Sequence, residues 1–552
     1  MKARLEKCLR MVFMLTLPIG VVAQSPPKPA ALGDLVGGLN EEHTLGPDEK
    51  HVYTITLEEG AAVIGKADQH GVDLVIDVLD PNGKLLYTVD SPNGTEGPEP
   101  IDLTAFRTGR YTLVIHTLDE RAKPGKYVMK IDRVLTVEEN GQRLIEKTYP
   151  AALRALWHNY LSDPKAIDEF IVSRKGRGPV IEDVKEDSKN MRVTYIFYGD
   201  DHTSAVTLGG GPHGVTGGLP MKRFLHTPLF YAWEMVPRDA RYTYDFSVTE
   251  TWFLGPTGAI QLSNDLPSIR DPLNPDVFGS RSVLSMPAAP PQPYIAESKS
   301  TPHGKLTSAT LQSFLLKENR PLTIYVPSGY EDAKTASDLL IVLDGEEYDG
   351  SGSVPTPTIL DNLIATKKTP AIVAVFVKNT GHRVRDLRGS REFADFVGTE
   401  LVPWIRKNYR INAGPDHAVA AGASLGGLGA SYCAFTHPEA IGNALSLSGS
   451  FWLTNGWRQE ERQPFPLNLA GETGDFLVQV RNSERLPLRF YIAVGRFESS
   501  GAMLGTNREL RDILLLKGYP VSYEEVEGEH DNVWWRESLA DGLLSLLGRQ
   551  TK

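Results

Sequence analysis

Apolar and polar residues alternate with a period of two through much of Gly33 to Val134. Val52–Leu57, Leu74–Leu79, Tyr111–Ile115 and Tyr127–Ile131 each read as a strand with one buried face. Turn sequences cut them apart: Asp80-Pro81-Asn82-Gly83, Ser91-Pro92-Asn93-Gly94 and Thr108-Gly109. The pattern predicts an all-β sandwich over 33–134. Spacing then changes to that of a helix. Leu144, Tyr149, Leu153, Leu156, Trp157 and Tyr160 share one helical face, and Ile167, Phe170 and Ile171 extend it, so 135–177 is expected to be a helical connector. Strand runs return at Val193–Tyr198, Leu229–Glu234 and Tyr242–Phe246, so 178–296 is expected to be a second β region. Its Gly-rich run from Leu208 to Gly218 lacks a following Gly-Lys-Ser/Thr and reads as a loop, not a phosphate cradle. Prolines 290, 291 and 293 mark its end.

From 297 to 552 strands and helices take turns. Strands are expected at Ala309–Leu316, Leu322–Val326, Leu339–Leu343, Ile372–Val377, Ala418–Ala421, Ala444–Leu447, Phe490–Val494 and Val521–Val526. Several are unbroken apolar runs, such as Ala371–Val377, which suits parallel strands covered on both faces. Helices fit between them, for example Ser390–Asn408 and Thr506–Lys517. Eight mainly parallel strands with crossover helices are the plan of an α/β hydrolase, so the whole chain is expected to be multidomain, with the hydrolase preceded by two β-sandwiches.

That plan gives meaning to Gly422-Ala423-Ser424-Leu425-Gly426, which sits between a predicted strand and a predicted helix. A Gly-x-Ser-x-Gly turn there raises the serine on a sharp bend, in front of a helix N-terminus that favours a developing negative charge. Alone the motif is weak; its flanks strengthen it. A serine hydroxyl needs a base, and the base an orienting acid, which follow in the order Ser, acid, His. Glu498 follows the strand at Arg489–Gly495, and His530 follows the last strand. His530 is the only histidine after His437, which lies past the nucleophile helix. Asp475 and Asp531 are the competing acids. The oxyanion donors are expected to be the N–H of Leu425 and one from the loop at Gly345.

Composition narrows the partners. The chain has 552 residues and a net charge of −11, with no basic stripe, which argues against nucleic acid. Its two cysteines, Cys8 and Cys433, exclude a Cys-rich metal site, and neither a metal nor another cofactor is expected. Lys2, Arg4, Lys7 and Arg10 precede an apolar run from Met11, and Val21-Val22-Ala23 ends in a small residue. Residues 1–23 thus read as a cleaved signal peptide and 24–32 as a Pro/Ala-rich linker, which places the protein in the periplasm or outside the cell. No later stretch is long and apolar enough to span a bilayer. Nothing in the composition fixes the oligomeric state.

Two resemblances add to this reading. Gly71-Val72-Asp73-Leu74, the Asp80–Gly83 turn and Thr108-Gly109-Arg110-Tyr111 resemble the pre-peptidase C-terminal type of secreted sandwich, which implies an accessory module. Asp77, Asp80 and Asp90 are carboxylates that calcium could use, or plain turn residues. A longer resemblance begins at Gly176–Glu182 and continues through Pro237–Phe246, Asp271–Pro275, Asp344–Tyr348, Arg385-Asp386-Leu387, Glu400–Trp404, Ala421–Gly427, Ser448–Trp452 and Gly528–Asp531. These stretches resemble the enterochelin esterases. The resemblance implies Ser424 as nucleophile, Glu498 as acid and His530 as base, acting on a small-molecule ester such as a ferric catecholate siderophore. Arg385, Trp452 and Tyr348 become candidates for holding an anionic, aromatic substrate. A secreted feruloyl or acetyl-xylan esterase is the rival enzyme, and an inactive ligand-binding protein the rival of another class.

Overall fold

The structure is a computed structural model. It describes residues 29–549 apart from 92, 120–122, 146–149, 186, 201, 214–217, 226, 255–258, 264–267, 455–473 and 499–500. The expected leader, most of the linker and Tyr149 lie outside the described residues. The chain divides into two compact units, one running to Lys147 together with Leu225–Thr227, the other holding the rest.

The first unit is a sandwich of a five-stranded and a four-stranded sheet. Alternate residues of its strands meet in one core, with Tyr53, Ile55, Leu113 and Ile115 from one sheet and Leu103, Tyr127, Met129 and Ile131 from the other. The Tyr111 hydroxyl donates to the Arg107 carbonyl at 2.9 Å and accepts from Phe106 N, pinning a corner between strands. Asp80 Oδ1 accepts from the amides of Asn82 and Lys84 at 2.8 Å each, so this carboxylate closes its own turn. Asp77 accepts from Thr88 and pairs with His116. Among the described residues no group of three or more His, Cys, Asp or Glu is placed to hold a metal.

The stretch read as one helical connector is divided between the units. Helix Val137–Ile145 belongs to the first. It starts at Thr136, whose hydroxyl and amide exchange hydrogen bonds with Glu139. Helices Ala151–Ser162 and Ala166–Arg174 belong to the second unit.

The second unit contains the second sandwich and the hydrolase. The sandwich pairs one sheet built on Asp187–Tyr198 and Leu229–Pro237 with another built on Thr203–Gly210, Arg241–Leu254 and Arg281–Ser285. The hydrolase sheet has eight strands: β1 (Lys305–Ser313), β2 (Glu318–Val326), β3 (Asp338–Leu343), β4 (Ile372–Val377), β5 (Ala418–Ala423), β6 (Asn443–Leu447), β7 (Arg489–Gly495) and β8 (Val521–Val526). Their order is β1-β2-β4-β3-β5-β6-β7-β8, antiparallel through β1, β2 and β4 and parallel beyond. The apolar runs serve both faces at once. In β3, Leu339, Ile341 and Leu343 join one core cluster, while Leu340 and Val342 join the other. Among the described residues no helix is long and apolar enough to cross a membrane.

Candidate active site

Strand β5 ends at Ala423, and the chain turns sharply into helix Leu425–Thr436. Ser424 at that bend has φ 57° and ψ −123°, a backbone conformation that L-residues avoid and that persists only when its surroundings enforce it. They do. Ser424 N donates to Leu447 O on β6 at 2.9 Å, and its carbonyl accepts from Leu428 N and Ser450 N. The flanking glycines are demanded by contact: a Cβ on Gly422 would lie 2.5 Å from the Gly426 carbonyl, and one on Gly426 would lie 2.9 Å from the Asp344 carboxylate. Ser424 therefore stands at the mouth of the helix, with the Leu425 amide directly behind it.

Glu498 and His530 come from the chain after β7 and β8. Glu498 Oε2 lies 2.8 Å from His530 Nδ1, and the Glu498 side chain is 2% exposed. A carboxylate can only accept, so the contact favours the tautomer with the proton on Nδ1 and a lone pair on Nε2. Glu498 is itself held. Ser448, in a left-handed conformation (φ 45°) after β6, donates its hydroxyl to Glu498 Oε1 at 2.5 Å. Trp535 Nε1 donates to the same hydroxyl at 3.2 Å, and the Trp535 ring stands edge-on to the His530 ring at 4.8 Å between centroids. Among the described residues Ser424 Oγ makes its hydrogen-bond contact with Ser450 Oγ at 3.4 Å, and none joins it to His530. Such contacts commonly close only when substrate binds.

Ser424 and Trp535 line a cavity of about 280 Å³ together with Asp344, Glu346, Glu347 and Arg383. The Arg383 guanidinium grips Asp344 with two bonds, 2.6 and 2.8 Å. Burial opposes its charge, but this carboxylate outweighs burial and holds the guanidinium above its usual pKa. Asn379 bridges Asp344 and Glu346. Tyr348 also lines the cavity, and burial raises its phenol.

Two sequence expectations change here. Arg385 does not line the cavity; it turns onto Asp386 and Glu318. Two residues apart on a short helix, Arg383 and Arg385 point to different sides, and Arg383 is the one facing inward. Trp452 is buried in the core with Phe451 and Phe476 and is absent from the lining. Gly345, in the loop expected to give the second oxyanion donor, is glycine because a Cβ would lie 2.6 Å from the backbone of Phe376 on β4. The left-handed residue of that loop is Asp344. Of the competing groups, Asp475 opens helix Asp475–Asn482 and Asp531 caps helix Asn532–Leu547 by accepting from Val533 N. His437 bridges Asp395 and Glu439. Sequence reasoning missed Ser448, Trp535 and Arg383. Only Ser448 had a signal, its place directly after a predicted strand.

Comparison with known proteins agrees with the fold. The family model described as "Putative esterase" matches residues 313–546. The iron(III) enterobactin esterase of Dickeya dadantii is 28% identical over 423 residues, 70% of this chain and 94% of that protein. The iron(III) enterobactin esterase of Escherichia coli O6:H1 is 31% identical over 290 residues, 50% of this chain and 67% of that protein. The crystal structure of the enterobactin esterase from Shigella flexneri superposes with a TM-score of 0.53 at 23% identity, covering 69% of this chain and 97% of that one. With an α/β hydrolase sheet, a serine on its elbow and relatives of this kind, the chain is a carboxylic ester hydrolase and belongs to the enterochelin (enterobactin) esterase family.

Proposed function

We propose that the protein hydrolyses esters through Ser424, His530 and Glu498, and that its substrate is the ester backbone of a catecholate siderophore. The observation that carries the catalytic part is the 2.8 Å Glu498–His530 contact, with Ser424 on a strained elbow in a cavity walled by Trp535, which also touches His530. In the reaction His530 Nε2 takes the Ser424 hydroxyl proton as Oγ bonds to the ester carbon. The carbonyl oxygen becomes an oxyanion beside the Leu425 amide and the helix N-terminus, where fixed dipoles stabilise it. A second donor comes from the loop at Asp344–Glu346, the counterpart of the hole expected from the sequence. His530 then returns the proton to the leaving alkoxide, and water repeats the sequence on the acyl-enzyme. Glu498 stabilises the imidazolium formed on the way.

The siderophore assignment rests on the relatives, which are named iron(III) enterobactin esterases. One observation favours a second class. Three carboxylates wall the cavity, and the Arg383 charge is spent on Asp344. A negative wall disfavours a trianionic ferric catecholate and favours neutral hydroxyl donors, such as a metal-free catechol or the sugar of a carbohydrate ester. Side-by-side kcat/KM for ferric enterobactin, metal-free enterobactin and methyl ferulate tests both. Turnover of ferulate alone overturns the siderophore reading. Labelling of the protein by a fluorophosphonate that is lost in Ser424→Ala tests the nucleophile. The leader is part of the same proposal: a processed form should begin near Gln24, which N-terminal sequencing checks.

A further inference from the structure

The loop that carries His530 runs from Glu527 to Asp531, between β8 and the last helix. Its own domain holds Glu527 through Arg496 at 3.4 Å and His530 through Glu498. Glu529, directly before the histidine, is 1% exposed, and its partners are in the second sandwich. Oε1 accepts from the Gly211 amide, and Oε2 lies 3.4 Å from Arg281 Nη1. Asp531, directly after the histidine, accepts from the Thr243 hydroxyl with the oxygen not used to cap the helix. Arg281 joins the two holds, because its Nη1 also donates to Thr243 Oγ1 at 2.6 Å while its Nε donates to Asp245 at 2.9 Å. The backbone is tied as well, Arg241 N to Glu527 O at 3.0 Å.

The loop that carries Glu498 is anchored in the same place. Phe497 is buried in the sandwich core and stands edge-on to Tyr242 at 5.7 Å. Its amide donates to Gly528 O at 3.0 Å, linking the acid loop to the base loop. The Gly-rich run that the sequence left without a role explains itself here. Gly210 and Gly211 both have positive φ, and a Cβ on Gly210 would lie 2.8 Å from Glu529 Oε1 and 2.5 Å from Thr243 O. Glycine lets the sandwich backbone come close enough to bind the Glu529 carboxylate.

We propose that the second sandwich is a working part of the ester-hydrolysing site, in which Arg281 and Thr243 are positioning residues that hold His530 in line with Glu498 and Ser424. The proposal rests on the assignment of those three residues above. A buried carboxylate requires partners, and removing its cation frees the loop to seek others. The imidazole then loses its aim, and a displacement of about 1 Å can cost roughly 10²-fold in rate. Substrate capture in the acid-lined cavity is untouched, so the loss belongs to kcat.

The test uses the full chain with p-nitrophenyl acetate as probe and near-UV circular dichroism to establish folding. Arg281→Met is expected to lower kcat by roughly 10²-fold with KM within about twofold of the parent, and Arg281→Lys to recover part of it. Thr243→Val preserves shape, so it carries the test should Arg281→Met fail to fold; about a tenfold fall in kcat is expected for loss of the hydroxyl that bonds Asp531 and Arg281. The rate of fluorophosphonate labelling should fall in parallel, since it reads activation of Ser424. Folded variants with parental kcat, or a loss confined to KM, overturn the proposal. Ser424→Ala runs alongside: if it is dead while the Arg281 and Thr243 variants keep parental rates, only the positioning role fails. If it turns over normally, the triad falls and the positioning role with it.

Discussion

In Glu498→Gln the side chain keeps its length and its place under Ser448 and against His530, but loses its charge. Two amide orientations are open. With NH₂ toward His530, Nδ1 must be bare and the ring proton sits on Nε2, where it cannot accept from Ser424. With the amide oxygen toward His530 the working tautomer survives. The NH₂ must then donate to Ser448 Oγ, which already accepts from Trp535 Nε1 at 3.2 Å but has a second lone pair. In either orientation the imidazolium forms with no anion beside it. Loss of charge and tautomer together costs about 10⁴ in kcat, and loss of charge alone nearer 10². At 1.36 kcal/mol per tenfold the expected rise in barrier is about 3 to 5 kcal/mol. Adding Ser448→Ala removes the acceptor that permits the working orientation, so the double variant should fall below the single one. Steady-state kcat and KM with p-nitrophenyl acetate near pH 8 read the effect, with KM little changed. Asp475→Asn, at the start of helix Asp475–Asn482, is the control and should stay within a few-fold. A Glu498→Gln enzyme within tenfold of the parent, or a crippled Asp475→Asn, refutes the role of Glu498.

Ser424→Ala should lose about 10⁶ in kcat while its urea midpoint stays near the parent's, because alanine accepts the same strained bend; residual turnover within tenfold removes Ser424 from the mechanism. Gly422→Ala should be destabilised by roughly 3 kcal/mol or more, since its Cβ meets the Gly426 backbone at 2.5 Å, and an unchanged melting temperature would show that the elbow yields. Burial lets Glu529 keep its proton up to about 7 in the folded chain, against an ordinary 4.5. Between those values the folded chain binds a proton that the unfolded chain has released, so stability falls as pH rises through the window. In Glu529→Gln that part of the fall, on the order of 3 kcal/mol, should vanish, and equal pH dependence in urea unfolding at pH 5 and 8 would contradict it.

What the sequence made legible was local. The elbow at Ser424 is written in eleven consecutive residues, from a strand into a turn and helix. His530 and Glu498, which the fold brings to 2.8 Å of each other, were singled out by elimination and by a place after a strand. Even the strand ends differ by only a few residues, the largest slip being β1, expected at Ala309–Leu316 and found at Lys305–Ser313. An edge strand with little apolar pattern gives no sharper boundary. Orientation was not legible. Arg383 and Arg385 have the same chemistry two positions apart, and only packing decides which faces the cavity. Trp452 follows the Ser448-Gly449-Ser450 turn as a ligand-holding aromatic would, yet its surroundings are core. The ties to the second sandwich were invisible for a simpler reason: no spacing rule reaches from Gly211, Thr243 or Arg281 to residues near 530.

Those ties span 318, 288 and 248 positions along the chain. Contacts of such separation close large loops and form late in folding. During synthesis the sandwich residues emerge first, and the His530 loop leaves the ribosome hundreds of residues afterwards. Under the proposed mechanism, a nascent chain can complete its elbow before the base for Ser424 has emerged. Reactivity would then depend on docking of the His530 loop onto the sandwich, and a copy without that docking would carry an unactivated serine instead of a stray nucleophile.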